Sequence, residues 1–418
     1  MNALIKPHRF TGTFRVPASK SHTIRRLLIA SLAGGVSEID YPLDSLDARS
    51  CLTVCRGLGA EIEEHRAADS RCPNTADAEG KRLVRWTVKG RGSRGLPPRA
   101  AAGSGEPLRL DVGNSGTTLY LALAAAALGG EPVEFTGDEQ ICRRSAAPLL
   151  EALSGLGIRA ESLRRNGCAP ILIRGPWKGG RVSLPCPTSQ YLSALLLAAP
   201  LAPLGTVTDI TVPLLNEKPY IELTLSYLTA QNIPFEAAGD FSRFVIPGGA
   251  SWKPVSGPVP GDFSSAAFPG CAAAVSGGDI TLLGLDPEDR QGDKAFFDML
   301  ARMGCDIRWE KRPPADAKGG GTGRPEWALS VARAGPFEGG VFDLHATPDM
   351  LPAAAVMGTY AAGDTALVNT AHARIKETDR IAVMAAELAK LGVRCTERPD
   401  GLVIHGKPEG RGKPPLTG

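Results

Sequence analysis

The sequence predicts an α/β fold in which small strands surround several helices that are buried on every side. Apolar, nearly uncharged helical segments with a polar start and a small-residue stop recur about every 75 to 95 residues. Each one is followed by a β-rich stretch and an amphipathic helix that ends in a Leu-Gly or similar turn. A helix without a polar face must be covered all round, so each repeat is one helix–strand–helix–strand unit.

The starts of the buried helices have two possible meanings. Small polar residues there accept hydrogen bonds from free backbone N–H groups, and Gly lets an anion approach the backbone. Each start is therefore either the capped N-terminus of an ordinary core helix or a helix N-terminus that binds a phosphate or carboxylate. The buried-helix segments are residues 19–35, 113–130, 188–205, 262–278 and 347–363. The amphipathic helices end at Leu58-Gly59, Leu156-Gly157, Asn232-Ile233, Met303-Gly304 and Leu391-Gly392.

The five units fall into two groups. Three lie before residue 259 and two after it, and the Pro- and Gly-rich stretch 254–261 is the expected domain boundary. We expect one three-unit lobe of residues 20–259 and a second lobe of residues 1–19 and 260–418. The segment near residue 10 should then pair within the second lobe. A third unit of that lobe is not recognised, because residues 406–418 show no helical pattern.

Composition and charge exclude several classes of function. The net charge is +3 and 22% of residues are charged, which argues against a nucleic-acid-binding surface. None of the nine cysteines forms a C-x-x-C pair, which fits a reducing compartment. Cys51 and Cys55 lie one helical turn apart and are expected to be buried. With no signal-peptide pattern and no uncharged apolar run of about 18 residues, we expect a cytoplasmic protein without a membrane partner.

Further strands, helices and loops are predicted over the following residue ranges. Strands are expected at 9–16, 36–41 and 83–89, and helices at 47–59, from about 146 to 155, and at 221–231. Residues 66–107 are expected to form surface loops around the strand at 83–89, residues 137–145 a polar turn, and residues 214–220 a loop. Residues 311–324 have the composition of a disordered insertion. Residues 369–392 are expected to contain an amphipathic helix, into which the charged stretch 374–380 leads.

Charged residues near the last predicted helix can lie close together. Lys376 and Arg380 are four residues apart and Glu377 and Arg380 three apart, so all three occupy neighbouring positions near a helix start. Considered alone, this segment could be a surface ladder of salt bridges.

Further charged residues stand at the other helix starts. Lys20 and Arg25 belong to the first buried helix, and Arg144 precedes an amphipathic helix. Asp349 follows Pro348 at the N-terminus of another buried helix. Several cations together with carboxylates suit a substrate with more than one anionic group and a reaction that moves protons. The chain has no Walker loop and no metal-ligand cluster, and its six histidines are dispersed, so no metal and no cofactor are expected.

An ordered set of short motifs covers nearly the whole chain. The motifs are Ser19-Lys20-Ser21 with Arg25, Gly113-Asn114-Ser115-Gly116-Thr117, the Arg144 turn, Thr188-Ser189-Gln190, Lys218-Pro219-Tyr220-Ile221, Gly261-Asp262-Phe263-Ser264-Ser265-Ala266, Gln291-Gly292-Asp293, Pro348-Asp349 and residues 374–380. In order, they are similar to the motifs of the 3-phosphoshikimate 1-carboxyvinyltransferase (EPSP synthase) family of enolpyruvyl transferases. That resemblance implies an inverse α/β barrel fold of two lobes, each of three βαβαββ units, with the active site between them; the second lobe here would lack its last unit.

The resemblance implies transfer of the enolpyruvyl group of phosphoenolpyruvate to the 5-hydroxyl of shikimate 3-phosphate, with release of phosphate. It places shikimate 3-phosphate on Ser21, Arg25, Thr188, Ser189 and Tyr220. It places phosphoenolpyruvate on Lys20, Gly116, Arg144, Gln190 and Arg380. Asp349 would take the 5-hydroxyl proton, Glu377 with Lys20 nearby would protonate the methylene carbon, and Lys376 would contact substituents of the ring. Such carboxylates act most strongly in a dry cleft.

The sequence departs from the family pattern at several places. Tyr120 stands where the family usually has an Arg, and Glu217 where a small or hydroxyl-bearing residue is common. An Asp-His-Arg-Met-Ala-Met helix and a late Lys-Thr-Phe-Pro segment are not found.

Two alternatives follow from these departures. One is a non-catalytic or fragment-complemented relative that binds shikimate 3-phosphate. The other is the enolpyruvyl transferase for UDP-N-acetylglucosamine, which would need Lys-Asn in place of Lys20-Ser21 and a reactive loop cysteine. Cys142, two residues before Arg144, is interpreted as incidental.

We expect the 418-residue chain alone to turn over slowly, because losing one preorganised charge contact can cost roughly 10²–10³ in rate. A complete protein should be a monomer, whereas an open lobe edge would favour association. A peptide or fusion that supplies an Asp-His-Arg unit should restore activity. Phosphate release by the isolated chain within tenfold of an ordinary enzyme's roughly 10 s⁻¹ would contradict this expectation.

Overall fold

The computed structural model describes residues 6, 8–92, 106–313 and 325–406. The chain divides into two compact units. One is Ala18–Val259, here the 18–259 unit, and the other is Met1–Pro17 with Pro260–Gly418, here the split unit. Three sequence-based expectations fall partly or wholly outside the described residues: parts of the loops at 66–107 and the insertion at 311–324, and nearly all of the tail at 406–418.

Ten α-helices are found in the described ranges. They are α1 Lys20–Leu32, α2 Leu46–Gly57, α3 Gly116–Ala126, α4 Ala147–Gly155, α5 Gln190–Ala198, α6 Lys218–Ala230, α7 Phe263–Ser276, α8 Ala295–Arg302, α9 Leu351–Gly358 and α10 Arg380–Lys390. Short 3-10 helices occupy Ile141–Arg143, Ala199–Leu201, Gly292–Lys294, Pro348–Met350 and Ala371–Ile375.

Strands separate these helices throughout both units. They are β1 Gly12–Arg15, β2 Gly34–Asp40, β3 Glu61–Ala67, β4 Arg82–Arg91, β5 Leu108–Asp111, β6 Val133–Thr136, β7 Arg159–Ser162, β8 Ile171–Arg174, β9 Gly180–Ser183, β10 Val207–Thr211, β11 Glu236–Ala237, β12 Arg243–Pro247, β13 Ser256–Pro258, β14 Asp279–Leu283, β15 Cys305–Arg312, β16 Glu326–Arg333, β17 Phe337–Asp343, β18 Ala361–Val368, β19 Cys395–Arg398 and β20 Gly401–His405.

Five four-stranded sheets share one pairing pattern in the described part of the chain. In each sheet the first two strands are parallel and the remaining neighbours are antiparallel. The 18–259 unit holds the sheets β13-β2-β4-β3, β5-β6-β8-β7 and β9-β10-β12-β11, and the split unit holds β1-β14-β16-β15 and β17-β18-β20-β19. An α/β fold of repeated small sheets, predicted from the recurring helices, is confirmed.

Two sheets exchange their first strand. β1 precedes α1 in the chain but pairs with β14, and β13 precedes α7 but pairs with β2. Each time the chain passes from one unit to the other, the last strand before the crossing pairs within the unit that the chain is leaving. The Pro- and Gly-rich stretch 254–261 contains β13, so its prediction as a plain crossing was incomplete. A strand of three residues is too short to show a period in the sequence.

The five buried helices are α1, α3, α5, α7 and α9. Every residue of α3 is buried, as are most residues of α1, α5 and α9 and half of those of α7. Ser19, Ser115 and Asp262 cap α1, α3 and α7 by accepting a hydrogen bond from a backbone N–H of the first turn. Each unit has its own apolar core around these helices.

The amphipathic helices α2, α4, α6, α8 and α10 end in left-handed backbone conformations. The residues there are Gly59, Gly157, Asn232, Gly304 and Gly392, with φ of 101°, 86°, 55°, 104° and 76°. Gly is favoured at such a position because an L side chain is strained there, and Asn tolerates it best among the others. The five turns predicted from the sequence thus share one physical cause.

One boundary needs correction. The predicted loop 214–220 ends earlier, because α6 begins at Lys218 rather than at Ile221. Pro219 fits within the first turn, where its missing N–H has no helical partner to lose. Glu217, with φ 58° and ψ 46°, turns the chain into the helix.

Replacing Gly392 by Ala is expected to destabilise the protein by about 1 kcal/mol, because Ala is strained in the left-handed region. A Cβ atom at Gly392 would meet no neighbour within 4 Å, so the backbone alone sets this cost. Gly335→Ala in the same unit is the matched control, since a Cβ there is also uncrowded and φ is not left-handed. Denaturant midpoints measure both variants, and equal midpoints would contradict the prediction.

Candidate active site

The predicted site residues lie in both compact units. The 18–259 unit holds Lys20, Ser21, Arg25, Gly116, Arg144, Thr188, Ser189, Gln190 and Tyr220, and the split unit holds Asp349, Lys376, Glu377 and Arg380. Most of them stand at or next to the N-terminus of a helix. Each group is described within its own unit.

Arg25 joins three helices of the 18–259 unit. It is 2% exposed, and its Nε donates to Thr224 Oγ1 on α6 at 2.9 Å. Its Nη2 donates to Ser193 Oγ on α5 at 3.2 Å, and its Nη1 to the Ser21 carbonyl of α1 at 3.2 Å. A longer contact of 3.5 Å reaches the Tyr220 carbonyl at the start of α6. Arg25 therefore lies against the backbone of Ser21 and of Tyr220.

The charge of Arg25 persists despite its burial. Burial lowers the pKa of the guanidinium to about 10, and Tyr227, Tyr220 and Glu217 act in the opposite direction. At neutral pH the side chain is thus a cation held away from water. Such a charge is tolerated only where acceptors surround it.

The start of α5 is held by a carboxylate from another segment. Glu217 is 3% exposed, and its Oε2 accepts from the Ser189 N–H at 3.3 Å and from the Ser189 hydroxyl at 3.0 Å. The Thr188 hydroxyl donates to the same oxygen at 3.5 Å. The carboxylate therefore caps a helix whose own Ser189 side chain makes no capping bond. Gln190, half-buried, is the first residue of this helix.

Arg144 lies against the start of α3. A Cβ atom added at Gly116 would come within 2.8 Å of Arg144 Nη1, so the absence of a side chain at Gly116 makes room for the guanidinium. Arg144 Nη2 also donates to Asn114 Oδ1 at 3.3 Å. A cation beside free N–H groups of a helix start is a suitable place for an anion.

Tyr120 supports the segment that carries Arg144. Its hydroxyl donates to the Ser145 carbonyl at 3.2 Å, and Tyr191 donates to the same carbonyl. The two rings pack edge to face with centroids 4.9 Å apart. Burial raises the pKa of Tyr191 well above its ordinary value, so its hydroxyl stays a donor at neutral pH. Where the family usually has a cation, this chain thus has a packed ring that fixes the backbone beside Arg144.

Lys20 is the first residue of α1 and is exposed to solvent. Ser19 before it is fully buried and accepts from His22 N at 3.5 Å. The cap thus fixes the start of the helix, while the ammonium group of Lys20 extends from it.

In the split unit, Arg380 links two carboxylates. Its Nη1 donates to Asp349 Oδ1 and its Nη2 to Glu377 Oε2, the latter at 2.9 Å. Burial opposes the charge of Arg380, but attraction and hydrogen bonds from Asp349 and then Glu377 outweigh it and hold the pKa above its ordinary value. These three predicted residues are therefore in direct contact.

The helix assumed for this segment starts later than predicted. Asp379 caps α10 by accepting from Ala382 N at 3.0 Å, and Arg380 is the first helical residue. Lys376 and Glu377 precede the helix, and Lys376 has extended backbone with φ −80° and ψ −150°. The pair of Glu377 and Arg380 forms without a helix between them, whereas Lys376 does not take the helical position assumed for it.

Some polar residues around Arg25 in the 18–259 unit were not predicted from the sequence. Ser193 and Thr224 bond to Arg25, and their hydroxyl oxygens lie 2.9 Å apart, but Ser193 was interpreted as part of an apolar helix and Thr224 as part of an amphipathic one. His22 Nδ1 lies 2.6 Å from the Tyr227 hydroxyl on α6. The available signal was a hydroxyl inside an otherwise apolar run, because a buried polar group needs a partner.

The described residues hold neither a metal-binding cluster nor a membrane-spanning helix. No group of His, Cys, Asp and Glu that could hold a metal ion is found among the residues that the structure describes. In the same residues, no helix is long and apolar enough to cross a membrane. All nine cysteines are free thiols; Cys51 and Cys55 are buried as predicted, with their sulfur atoms 3.9 Å apart.

Comparison with known proteins defines the class. The family model of EPSP synthase (3-phosphoshikimate 1-carboxyvinyltransferase) matches residues 4–413. The 3-phosphoshikimate 1-carboxyvinyltransferase of Acetivibrio thermocellus is 42% identical over 401 residues, which cover 96% of this chain and 84% of the relative. The protein of the same name from Halobacterium salinarum is 39% identical, covering 97% of this chain and 86% of the relative.

A solved EPSP synthase from Acinetobacter baumannii has the same fold. It superposes with a TM-score of 0.73 at 26% sequence identity, covering 96% of this chain and 82% of the other. The proteins similar to this chain are thus transferases of the carboxyvinyl group by name. The chain belongs to the EPSP synthase family.

Replacing Arg25 by Met should destabilise the protein by about 1–3 kcal/mol, because the buried acceptors Thr224, Ser193 and the Ser21 carbonyl lose their donor. Arg143→Met is the control, since Arg143 is an exposed arginine of the same unit and is paired with exposed Glu139. Thermal melts and denaturant titrations measure both. A loss at Arg25 no larger than at Arg143 would show that the buried network does not depend on this charge.

Proposed function

We propose that this protein transfers the enolpyruvyl group of phosphoenolpyruvate to the 5-hydroxyl of shikimate 3-phosphate. The observation that carries the proposal is the gathering of Arg25, Ser21 and Tyr220 at one place, in a chain whose named relatives carry this activity. The products are 5-enolpyruvylshikimate 3-phosphate and phosphate. The reaction belongs to the shikimate pathway of aromatic amino-acid biosynthesis.

The shikimate 3-phosphate part of the site is proposed to use Ser21, Arg25, Thr188, Ser189 and Tyr220. Phosphate oxygens require several hydrogen-bond donors, and a buried Arg supplies a planar set of them beside helix starts. The N–H and hydroxyl groups of Ser189 and the hydroxyl of Thr188 already serve an anionic acceptor, the carboxylate of Glu217. This supports their assignment as anion donors.

Phosphoenolpyruvate is proposed to bind Lys20, Gly116, Gln190, Arg144 and Arg380. It carries a phosphate and a carboxylate, so it needs more than one cation. The Arg144 guanidinium beside Gly116 and the start of α3 offers one such place. Lys20 supplies an exposed, mobile charge at the start of α1.

Proton transfer is proposed to use two carboxylates of the split unit. In the addition step, Asp349 takes the proton of the 5-hydroxyl while the 5-oxygen of shikimate 3-phosphate bonds to C2 of phosphoenolpyruvate. Glu377, with Lys20, delivers a proton to the methylene carbon C3. In the elimination step the C3 proton leaves and the bond from C2 to the phosphate oxygen breaks, which restores the double bond. Protonation makes C2 cation-like, and fixed carboxylates stabilise such a charge.

Lys376 is proposed to contact the ring substituents of shikimate 3-phosphate. The residue is half-buried next to Glu377, in extended backbone before α10. We also propose a cytoplasmic location, since all nine cysteines are unpaired thiols, as expected in a reducing compartment.

Gly116→Ala should weaken phosphoenolpyruvate binding by about tenfold to a hundredfold, because the added Cβ displaces the Arg144 guanidinium and small misplacements of such groups are costly. Gly130→Ala is the control, as a Cβ there meets no neighbour within 4 Å. Calorimetry with phosphoenolpyruvate measures both variants. Equal affinities in the two variants would remove Arg144 from the proposed phosphoenolpyruvate site.

The function itself is tested by calorimetry with shikimate 3-phosphate. The unmutated chain should bind it, and Arg25→Lys should bind at least about tenfold more weakly, because Lys keeps the charge but not the planar donor set. Arg143→Lys makes the same exchange at an exposed position and should leave the affinity unchanged. Melting curves establish that each variant is folded at the titration temperature. Failure of the unmutated chain to bind would overturn the substrate assignment.

A further inference from the structure

A buried carboxylate occupies the donors proposed for the substrate phosphate. Glu217 Oε2 accepts from the Ser189 N–H, the Ser189 hydroxyl and the Thr188 hydroxyl, at 3.3, 3.0 and 3.5 Å. The side chain is 3% exposed, so water does not compete for these bonds. A single oxygen of the protein thus fills the position expected of a phosphate oxygen.

The backbone holds Glu217 at this place. The segments before Thr188 and before Glu217 run side by side, since Cys186 N donates to the Leu214 carbonyl and Asn216 N to the Cys186 carbonyl, at 2.7 and 3.1 Å. Asn216 Nδ2 adds a bond to the Pro187 carbonyl at 3.2 Å. Glu217 itself is left-handed at φ 58°, a strained conformation for a residue with a side chain, which persists because these surrounding contacts fix it.

The charge of Glu217 also acts on a buried cation. Arg25, itself 2% exposed, feels the negative charge of Glu217, which acts against the lowering of its pKa by burial. A buried cation and a buried anion each reduce the cost of burying the other. The same cation is proposed to bind the phosphate of shikimate 3-phosphate.

We infer that Glu217 is an internal competitor of the substrate phosphate and sets the affinity of the protein for shikimate 3-phosphate. This inference rests on the proposed function. Each hydrogen of Ser189 and Thr188 serves one acceptor at a time at full strength, so a phosphate oxygen and the carboxylate compete for it. Like charges brought together also repel, which adds to the competition. Shikimate 3-phosphate therefore binds only as the Glu217 carboxylate gives up these bonds.

The test uses Glu217→Gln, which removes the charge but keeps the shape and one acceptor oxygen. Glu217→Ser is a second variant, which removes the reach of the side chain as well. Glu222→Gln is the matched control, because Glu222 is an exposed glutamate on the same helix α6. Calorimetry with shikimate 3-phosphate gives the dissociation constants. Melting curves with and without inorganic phosphate measure simple anion binding at the same donors.

Both Glu217 variants should bind shikimate 3-phosphate at least about tenfold more tightly than the unmutated chain, and Glu222→Gln should not. Inorganic phosphate should raise the melting temperature of the Glu217 variants more than that of Glu222→Gln. Unchanged or weaker affinity in both Glu217 variants, with binding by the unmutated chain, would overturn the inference. If no variant binds shikimate 3-phosphate but phosphate still stabilises the Glu217 variants selectively, the competition stands and the proposed substrate fails.

Glu217→Gln is expected to lower the melting temperature measured without phosphate, because the charge-assisted bonds to Ser189 become neutral ones. Should Glu217→Gln not fold, Glu217→Ser carries the same comparison with the same control. A variant that folds but shows neither tighter substrate binding nor selective stabilisation by phosphate would count against the inference.

Discussion

Buried positive charge is the constraint on which much of the 18–259 unit depends. Arg25 is held among α1, α5 and α6, where its donors are matched by Thr224, Ser193 and the Ser21 carbonyl. Ser193 lies on the nearly apolar helix α5, and Thr224 is fully buried on the amphipathic helix α6, so their hydroxyls are explained by the guanidinium and not by solvent. The three helices can pack closely only in the arrangement that satisfies this charge.

Compensation by carboxylates recurs in the split unit. Arg380 is paired with Asp349 and Glu377, and Arg25 lies under the influence of Glu217. Thr188 and Ser189 of one unit and Arg380 of the other, all proposed to bind anionic substrates, are therefore already engaged with acidic side chains of the protein. When an anionic substrate binds at such a residue, it replaces a carboxylate of the protein. The measured affinity for the substrate is then the difference in free energy between the two sets of contacts.

The repeated unit explains why the proposed site residues lie at helix starts. A helix buried on all sides must satisfy the N–H groups of its first turn with side chains or ligands. Ser19, Ser115 and Asp262 do so directly, whereas the start of α5 depends on Glu217. One architecture repeated in five sheets thus places several donor-rich ends in each chain.

Local signals predicted a large part of this structure. The uncharged runs became the buried helices, and the Leu-Gly turns became left-handed helix ends, because both depend on a few adjacent residues. The start of α6 was misplaced, since a left-handed Glu217 gives no local sign of a helix boundary. β13 was missed because its three residues are fixed by a partner strand far away in the chain.

The candidate site shows the same division between local and distant causes. Motifs identified Arg25, Ser189 and Arg380, but not which acceptors they meet. Glu217 was noted only as a departure from the family pattern, and its bonds to Thr188 and Ser189 depend on two segments running side by side. That pairing arises from tertiary structure, which no window of the sequence contains.

An internal anion links stability to binding in a way that a small residue would not. The Glu217 carboxylate stabilises the start of α5 and offsets the buried charge of Arg25, yet these are the donors and the cation proposed for the phosphate. A chain with a small residue there would leave Arg25 less compensated, and would depend on the ligand for that part of its stability. With Glu217 the fold carries its own compensation, and the free energy of phosphate binding is reduced by the free energy of the bonds it replaces.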